Sequence, residues 1–120
     1  MNNVQQIINS IKNNDISKDE LIFFLDNTNI LIKANAIFQI VRMQMHDEIF
    51  IEKLVNLARL MEEEPKVIGL YNNAHFALAA LSWLGTENSI KTFTELFEKL
   101  EPEKQSVLRK LIEEKPYLYL

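Results

Sequence analysis

The stretch from Pro65 to Gly85, PKVIGLYNNAHFALAALSWLG, constrains the fold most, because it is the longest apolar run of helical period in the chain. Its apolar side chains recur at three- and four-residue spacing and form one helical face: Val67, Leu70, Tyr71, Ala74, Ala77, Leu78, Leu81 and Leu84. A second apolar face consists of Phe76, Ala79, Ala80 and Trp83. A helix that is apolar around most of its girth is buried on several sides. We therefore predict a central helix flanked by other helices on at least two sides.

Both ends of this stretch carry helix-boundary signals. Proline is tolerated in the first turn of a helix, so Pro65 is compatible with a start there. The acidic Glu62, Glu63 and Glu64 just before it would complement the positive end of the helix dipole. Gly85 can take the left-handed conformation that closes a helix. The predicted helix therefore begins at Pro65 and ends before Gly85.

Shorter apolar periods predict six further helices, whose apolar faces begin near Val4, Leu21, Leu31, Phe50, Ile90 and Val107. Ser17 and Glu20 form a capping-box pattern, and Thr28, Asp47 and Thr86 are expected to cap the helices that follow them. Pro116 should stop the last helix before an apolar tail, Tyr117–Leu120. Two glycines and three prolines leave little material for turns, and no stretch alternates long enough to predict a strand. We predict an all-α fold of about seven helices in a single domain, residues 1–120.

Two helical segments repeat at a shift of about 40 residues, a period typical of helical-pair solenoids. The matching positions are Ala34, Ile37, Phe38 and Val41 against Ala74, Ala77, Leu78 and Leu81. Residues 72–100, NNAHFALAALSWLGTENSIKTFTELFEKL, resemble a HEAT repeat, and residues 27–61 resemble a weaker copy with Met45 in place of Gly85. The resemblance implies a short right-handed α-solenoid of antiparallel helix pairs.

Composition and motifs indicate little chemistry. The chain has no cysteine and a net charge of −4, with its basic residues scattered, which argues against a nucleic-acid surface. No phosphate-binding glycine motif or zinc-protease motif is present. We interpret His46-Asp47-Glu48 as a polar turn rather than a metal site, and His75 lacks a nucleophile or carboxylate nearby. We therefore predict no enzymatic activity, cofactor or metal.

Neither a membrane-spanning run nor a secretion-signal pattern is recognisable, so we expect a cytoplasmic protein with no membrane partner. The abundance of Asn, Ile and Lys is typical of AT-rich coding sequences and favours a bacterial origin.

Polar residues on the two repeated helices are the candidate binding residues. If the repeats stack in parallel, these polar residues form two adjacent rows on the concave surface. One row is Asn35, Gln39 and Arg42, and the other is Asn72, His75 and Ser82. The competing interpretation is that any amphipathic helix has such a polar face. Under either interpretation, Gln39→Ala or Asn72→Ala should change the free energy of unfolding by less than about 0.5 kcal/mol.

Two further features allow two interpretations each. The acidic run Glu62, Glu63 and Glu64 is either a solvated loop or a docking patch for a basic partner. Trp83 is either core, packed between the fifth and seventh helices with its N–H on a carbonyl or water, or an exposed interface anchor.

The resulting hypothesis is a non-enzymatic protein-binding module. A short acidic solenoid resembles immunity proteins, which neutralise a toxin, and a basic toxin domain would be the partner. One alternative is a nucleic-acid-processing enzyme on a HEAT-like scaffold, similar to helical-repeat DNA glycosylases, with Lys33, Arg42 and Lys66 near its groove. Another is a scaffold subunit whose tail docks on a neighbour or on its own kind. The oligomeric state is not predicted.

Overall fold

Residues 3–120 are described by a computed structural model, and within them the secondary structure is predominantly helical. The helices are α1 (Val4–Lys12), α2 (Lys18–Leu25), α3 (Ile30–Arg42), α4 (Glu48–Ala58), α5 (Asn73–Leu84), α6 (Glu87–Glu98) and α7 (Pro102–Glu114). A hairpin of β1 (Lys66–Ile68) and β2 (Tyr71–Asn72) precedes α5, and a 3-10 turn (Pro116–Leu118) follows α7. The prediction of an all-α fold with seven helices is confirmed.

The central position of α5 is also confirmed. It contacts α3, α4, α6 and α7, and every residue from Asn73 to Leu81 is buried. The odd-numbered helices follow one another in space, since α1 contacts α3, α3 contacts α5 and α5 contacts α7. The even-numbered helices pack on odd-numbered ones, α2 on α3, and α4 and α6 on α5. The right-handed solenoid arrangement stays a prediction.

The predicted start of the central helix is wrong. The helix begins at Asn73, eight positions after Pro65, and β1 and β2 occupy most of the intervening stretch as an antiparallel pair. Pro65 comes just before β1, where its missing N–H removes no helical bond. The expectation that the chain contains no strand is therefore wrong at this place.

The residues around the turn of the hairpin explain the difference. Val67, Ile68 and Tyr71 are β-branched or aromatic and favour strands. Gly69 lies between them with φ +54°, a left-handed value that glycine adopts without a Cβ penalty. Apolar spacing alone does not distinguish this arrangement from a helix, because Val67 and Tyr71 also fall four residues apart.

Most predicted helix ends are confirmed. Gly85 takes φ +66° after α5, and Thr86 accepts a hydrogen bond from the Ser89 backbone N–H at the start of α6. Ser17 and Glu20 form the expected capping box on α2. These ends depend on neighbouring residues only, which is why the sequence identifies them.

At two helices the structure differs from the predicted side-chain caps. Asn29 rather than Thr28 caps α3, accepting hydrogen bonds from the N–H groups of Leu31 and Ile32. Asp47 lies at the start of α4 but makes no side-chain cap bond, because its carboxylate pairs with Lys18 at 2.8 Å.

Trp83 joins α5 to α7, as the core interpretation predicts. Its Nε1–H donates to the backbone oxygen of Ile112 at 3.1 Å, and its ring lies 4.8 Å, centroid to centroid, from that of Tyr117. The half-buried indole therefore packs within the fold rather than standing out as an anchor.

From residue 3 onward, no helix combines the length and the apolar content that crossing a bilayer requires.

Candidate functional site

The two predicted polar rows do not form one open surface. Gln39, Asn72 and His75 are buried, and Asn35 and Ser82 are half-buried. The expectation that these rows are presented to solvent is therefore wrong for the three buried residues. The hairpin and the tail (Tyr117–Leu120), whose positions the repeat pattern does not specify, pack against α3.

Arg42 anchors the tail to α3. Its Nε–H donates to the backbone oxygen of Tyr117 at 2.8 Å, and a terminal nitrogen donates to that of Leu120 at 3.2 Å. The other terminal nitrogen donates to Oε1 of Gln39 at 3.0 Å. The guanidinium is thus occupied by contacts within the chain, and Gln39 helps to orient it.

The acidic run is partly tied down by lysines. Glu64 pairs with Lys33 at 3.1 Å, in a contact where both side chains are largely buried, and Glu62 pairs with Lys104. Glu63 is exposed. The run therefore connects its loop to α3 and α7 rather than forming a uniform free patch.

The three basic residues considered for a nucleic-acid groove are each engaged within the chain. Lys33 pairs with Glu64, Arg42 holds the tail, and the Lys66 ammonium donates to the backbone oxygen of Leu70 at 3.2 Å. They contact three different parts of the molecule.

An apolar groove runs between α3, the hairpin and the tail. It comprises two cavities of about 130 and 180 Å³ that share Ile68, Phe76 and Leu120 as lining residues. Its exposed apolar side chains are Leu31 (48%), Ile68 (47%), Tyr119 (66%) and Leu120 (38%). Large apolar side chains grouped around a concavity are typical of interaction surfaces.

Asn35 supplies a polar group to this groove. Its Nδ2 donates to the backbone oxygen of Leu31 at 2.8 Å, whereas its Oδ1 is buried without a hydrogen-bond partner. A buried unsatisfied acceptor costs about 1–3 kcal/mol, and this oxygen is closed off from solvent in the folded chain.

Asn72 and His75 form a buried capping box at the start of α5. Oδ1 of Asn72 accepts from the N–H groups of Ala74 and His75 at 2.9 and 3.0 Å. Nδ2 of Asn72 donates to the backbone oxygens of Met61 and Glu64 at 2.9 and 3.1 Å. This one amide therefore ties α5 to the loop that follows α4.

The tautomer of His75 follows from these bonds. The buried Asn72 N–H lies 3.0 Å from Nδ1 of His75 and needs an acceptor. Nδ1 also lies 2.9 Å from Oδ1 of Asn72, but both lone pairs of that oxygen are already used by backbone N–H groups. We therefore assign the proton of the neutral ring to Nε2.

The environment of His75 keeps the ring neutral. Burial, with a smaller contribution from the positive charge of Lys66, lowers the pKa of the imidazole from 6.5 to about 4. Desolvation acts in this direction because it disfavours the charged form. At neutral pH the side chain is an uncharged hydrogen-bond donor.

Sequence reasoning missed the groove because the hairpin and the tail build it. The segment VIGLY, with β-formers on both sides of a glycine, is the signal that could have identified the hairpin. No comparable local signal places the tail against α3.

Within residues 3–120, no group of three or more His, Cys, Asp or Glu side chains is arranged to hold a metal ion. Comparisons with protein-family models, with curated proteins and with solved structures found no match for the chain.

Proposed function

We propose that this chain is a non-enzymatic protein-binding module that receives an apolar segment of a partner protein in the apolar groove. The observation that carries the proposal is the grouping of Leu31, Ile68, Tyr119 and Leu120, all exposed, around that groove. Its best specific form is a cytoplasmic bacterial immunity protein that binds and neutralises a toxin.

The chemistry of the groove fits a peptide-like occupant. Apolar side chains of a helix or an extended segment would fill the two cavities, which is a common recognition mode. Tyrosine is enriched among residues that carry binding energy, and Tyr119 is exposed at the rim.

The charge supports a basic partner. The net charge of −4 would accelerate the approach of a basic toxin domain and would favour it over acidic proteins. Glu114 lines one end of the groove and offers a carboxylate to such a partner, whereas Lys12 lines the other.

The test is co-expression of the chain with the product of the neighbouring reading frame, scored by growth and by copurification. We expect growth rescue and a stable complex. Ile68→Asp places a charge in the groove and should weaken the complex at least tenfold, or about 1.4 kcal/mol.

Phe23→Asp is the matched control, because Phe23 is an exposed apolar residue on α2, outside the groove. It should leave the affinity unchanged. A complex that tolerates Ile68→Asp as well as Phe23→Asp would contradict the assignment of the groove, and the absence of any protein partner would contradict the function.

A further inference from the structure

A further cavity, separate from the two that form the apolar groove, lies between the hairpin, α5 and the start of α7. Its volume is about 220 Å³, and Met61, Leu70 and Val107 provide apolar surface. This is smaller than the ~300–1,000 Å³ typical of sites for drug-sized ligands. It therefore fits a small molecule or the end of a larger one.

His75 presents an unused donor to this cavity. The side chain is only 5% exposed, and it lines the cavity while Nδ1 is engaged with the Asn72 backbone. The two ring nitrogens lie on different edges of the imidazole, so the Nε2–H is directed away from the cap. No hydrogen bond from Nε2 to any residue from 3 to 120 is found, so this donor is available to a ligand in the cavity.

Two further positive features meet at the same place. Lys66 lines the cavity, and its ammonium donates to the neutral backbone oxygen of Leu70. The first turn of α7 also lines the cavity, and Glu101 makes no side-chain cap bond to it. Uncapped N–H groups at a helix start favour negative charge.

We propose that this cavity binds a monocarboxylate with an apolar body. The carboxylate accepts hydrogen bonds from the Nε2–H of His75 and from the Lys66 ammonium. The body of the ligand packs against Met61, Leu70 and Val107. The site is independent of the groove, and it assigns a ligand class that the proposed protein-binding function does not supply.

The remaining charges select a monovalent ligand. Glu62 is paired with Lys104, so these two largely cancel. Glu103 also lines the cavity, and its negative charge opposes the binding of any anion, about twice as strongly for a dianion as for a monocarboxylate. A dianion such as phosphate should therefore bind more weakly than a monocarboxylate.

Binding should also raise the affinity of His75 for protons. A carboxylate beside the ring favours its charged form and opposes the effects of burial and of Lys66. The charged or titratable groups around the ring are Lys66 and Tyr71 of the hairpin, Glu62 of the loop, and Glu103 and Lys104 of α7. The ring of His75 should therefore titrate at higher pH with ligand than without it.

The carboxylate could belong to a free acid or to the end of a peptide, and the experiment separates these sources. We would titrate the ¹⁵N-labelled chain with benzoate, with benzamide as the neutral analogue, and with inorganic phosphate, following amide shifts and the His75 ring. We expect saturable benzoate shifts at the cavity residues, at least tenfold weaker binding of benzamide, and weaker binding of phosphate. A parallel arm compares a short apolar peptide ending in a free carboxylate with its amidated form.

The variant Lys66→Met should weaken benzoate binding at least fivefold, whereas Lys91→Met, which removes an exposed lysine on α6, should not change it. Tighter binding of the peptide acid than of benzoate supports a peptide end as ligand, and the reverse order supports a free acid. Equal binding of benzoate and benzamide, tighter binding of phosphate, or an unchanged affinity in Lys66→Met would overturn the proposal. None of these outcomes depends on the apolar groove.

Discussion

Two helices in this molecule begin with the same chemistry in different surroundings. At α1, Asn3 accepts from the Gln6 backbone while the Gln6 side chain accepts from Asn3 N–H, and both residues are exposed. At α5, Asn72 and His75 repeat the arrangement below the surface. There the Asn72 amide also satisfies two backbone oxygens of the preceding loop.

The comparison shows that the effect of a capping box stays local only where water can hydrogen-bond to the backbone groups that the cap satisfies. At α1, solvent can hydrate the groups that a mutation would free. At α5, Asn72 is buried and its two backbone acceptors are partly buried, so the groups freed by a mutation are less well hydrated and carry a desolvation cost. The same motif therefore only caps the helix at α1, whereas at α5 it also joins the helix to the loop that follows α4.

The largest expected effect comes from removing the buried cap. Asn72→Ala would lose the cap and leave the Met61 and Glu64 oxygens without their donors. We expect a loss of about 3–5 kcal/mol in the free energy of unfolding, measured by urea denaturation at pH 7. This replaces the expectation, made from the sequence, of a nearly neutral change.

Asn3→Ala is the matched control and should cost only about 0.5–1 kcal/mol, as for an exposed cap. Equal costs for Asn3→Ala and Asn72→Ala would mean that burial does not alter the value of this motif.

The next effect is on the pH dependence of stability. The pKa of His75 is about 4 in the folded chain and 6.5 when the side chain is solvated, so the unfolded state binds more protons between these values. The stability that the neutral ring retains above pH 6.5 is therefore lost as the pH falls towards 4, by at most about 3 kcal/mol, because solvent screening reduces the effect.

His75→Gln tests this directly, because glutamine is the residue that serves the same role in α1. The variant should lose up to about 3 kcal/mol less than the wild type between pH 7 and pH 4 in urea denaturation. Carboxylates such as Asp47, whose pKa is lowered mainly by its hydrogen bond to Lys18, contribute equally to both proteins. Parallel pH profiles would show that His75 does not titrate as its burial requires.

A smaller loss of stability is expected when only the donating nitrogen of the Asn72 amide is removed and an accepting oxygen is kept. Asn72→Ser keeps an oxygen that can cap α5 but removes the donors to Met61 and Glu64. We expect a loss of about 2 kcal/mol in the free energy of unfolding, between that of the wild type and that of Asn72→Ala.

Asn3→Ser should stay within about 0.5 kcal/mol of the wild type, since serine caps as well as asparagine. If Asn72→Ser were as stable as the wild type, the contacts to the loop would contribute nothing.

The smallest effect is expected at the exposed box. Gln6→His gives α1 the residue found in α5, but without burial or a neighbouring Lys66. Stability should change by less than about 0.5 kcal/mol, and no pH dependence like that of His75 should appear in urea denaturation. A pH dependence as large as that of His75 would assign the effect to the capping geometry itself.

The sequence predicted those parts of the fold that depend on near neighbours. The burial of α5, the left-handed Gly85 and the Thr86 cap were all predicted, and the core interpretation of Trp83 was one of two that the sequence left open. Apolar spacing and capping patterns contain this information because they act within one or two turns.

The candidate site was not predicted, for a physical reason. Polar residues such as Gln39, Asn72 and His75 were assigned to the surface, because burying them is costly unless specific partners are present. The amide of Asn72 finds its acceptors in the loop before the hairpin, and Gln39 bonds Asn14 as well as Arg42, so part of their pairing comes from outside the repeated helices. Spacing within one helix does not report partners that approach from elsewhere.

The contact between Arg42 and the tail has a consequence for how this fold could acquire new ligands. Leu120 forms part of the groove wall, yet the side chain that holds it there does not line the groove. A substitution at position 42 would reshape the recess while leaving every side chain inside it unchanged. Selectivity in such a molecule can therefore shift through residues that no ligand touches.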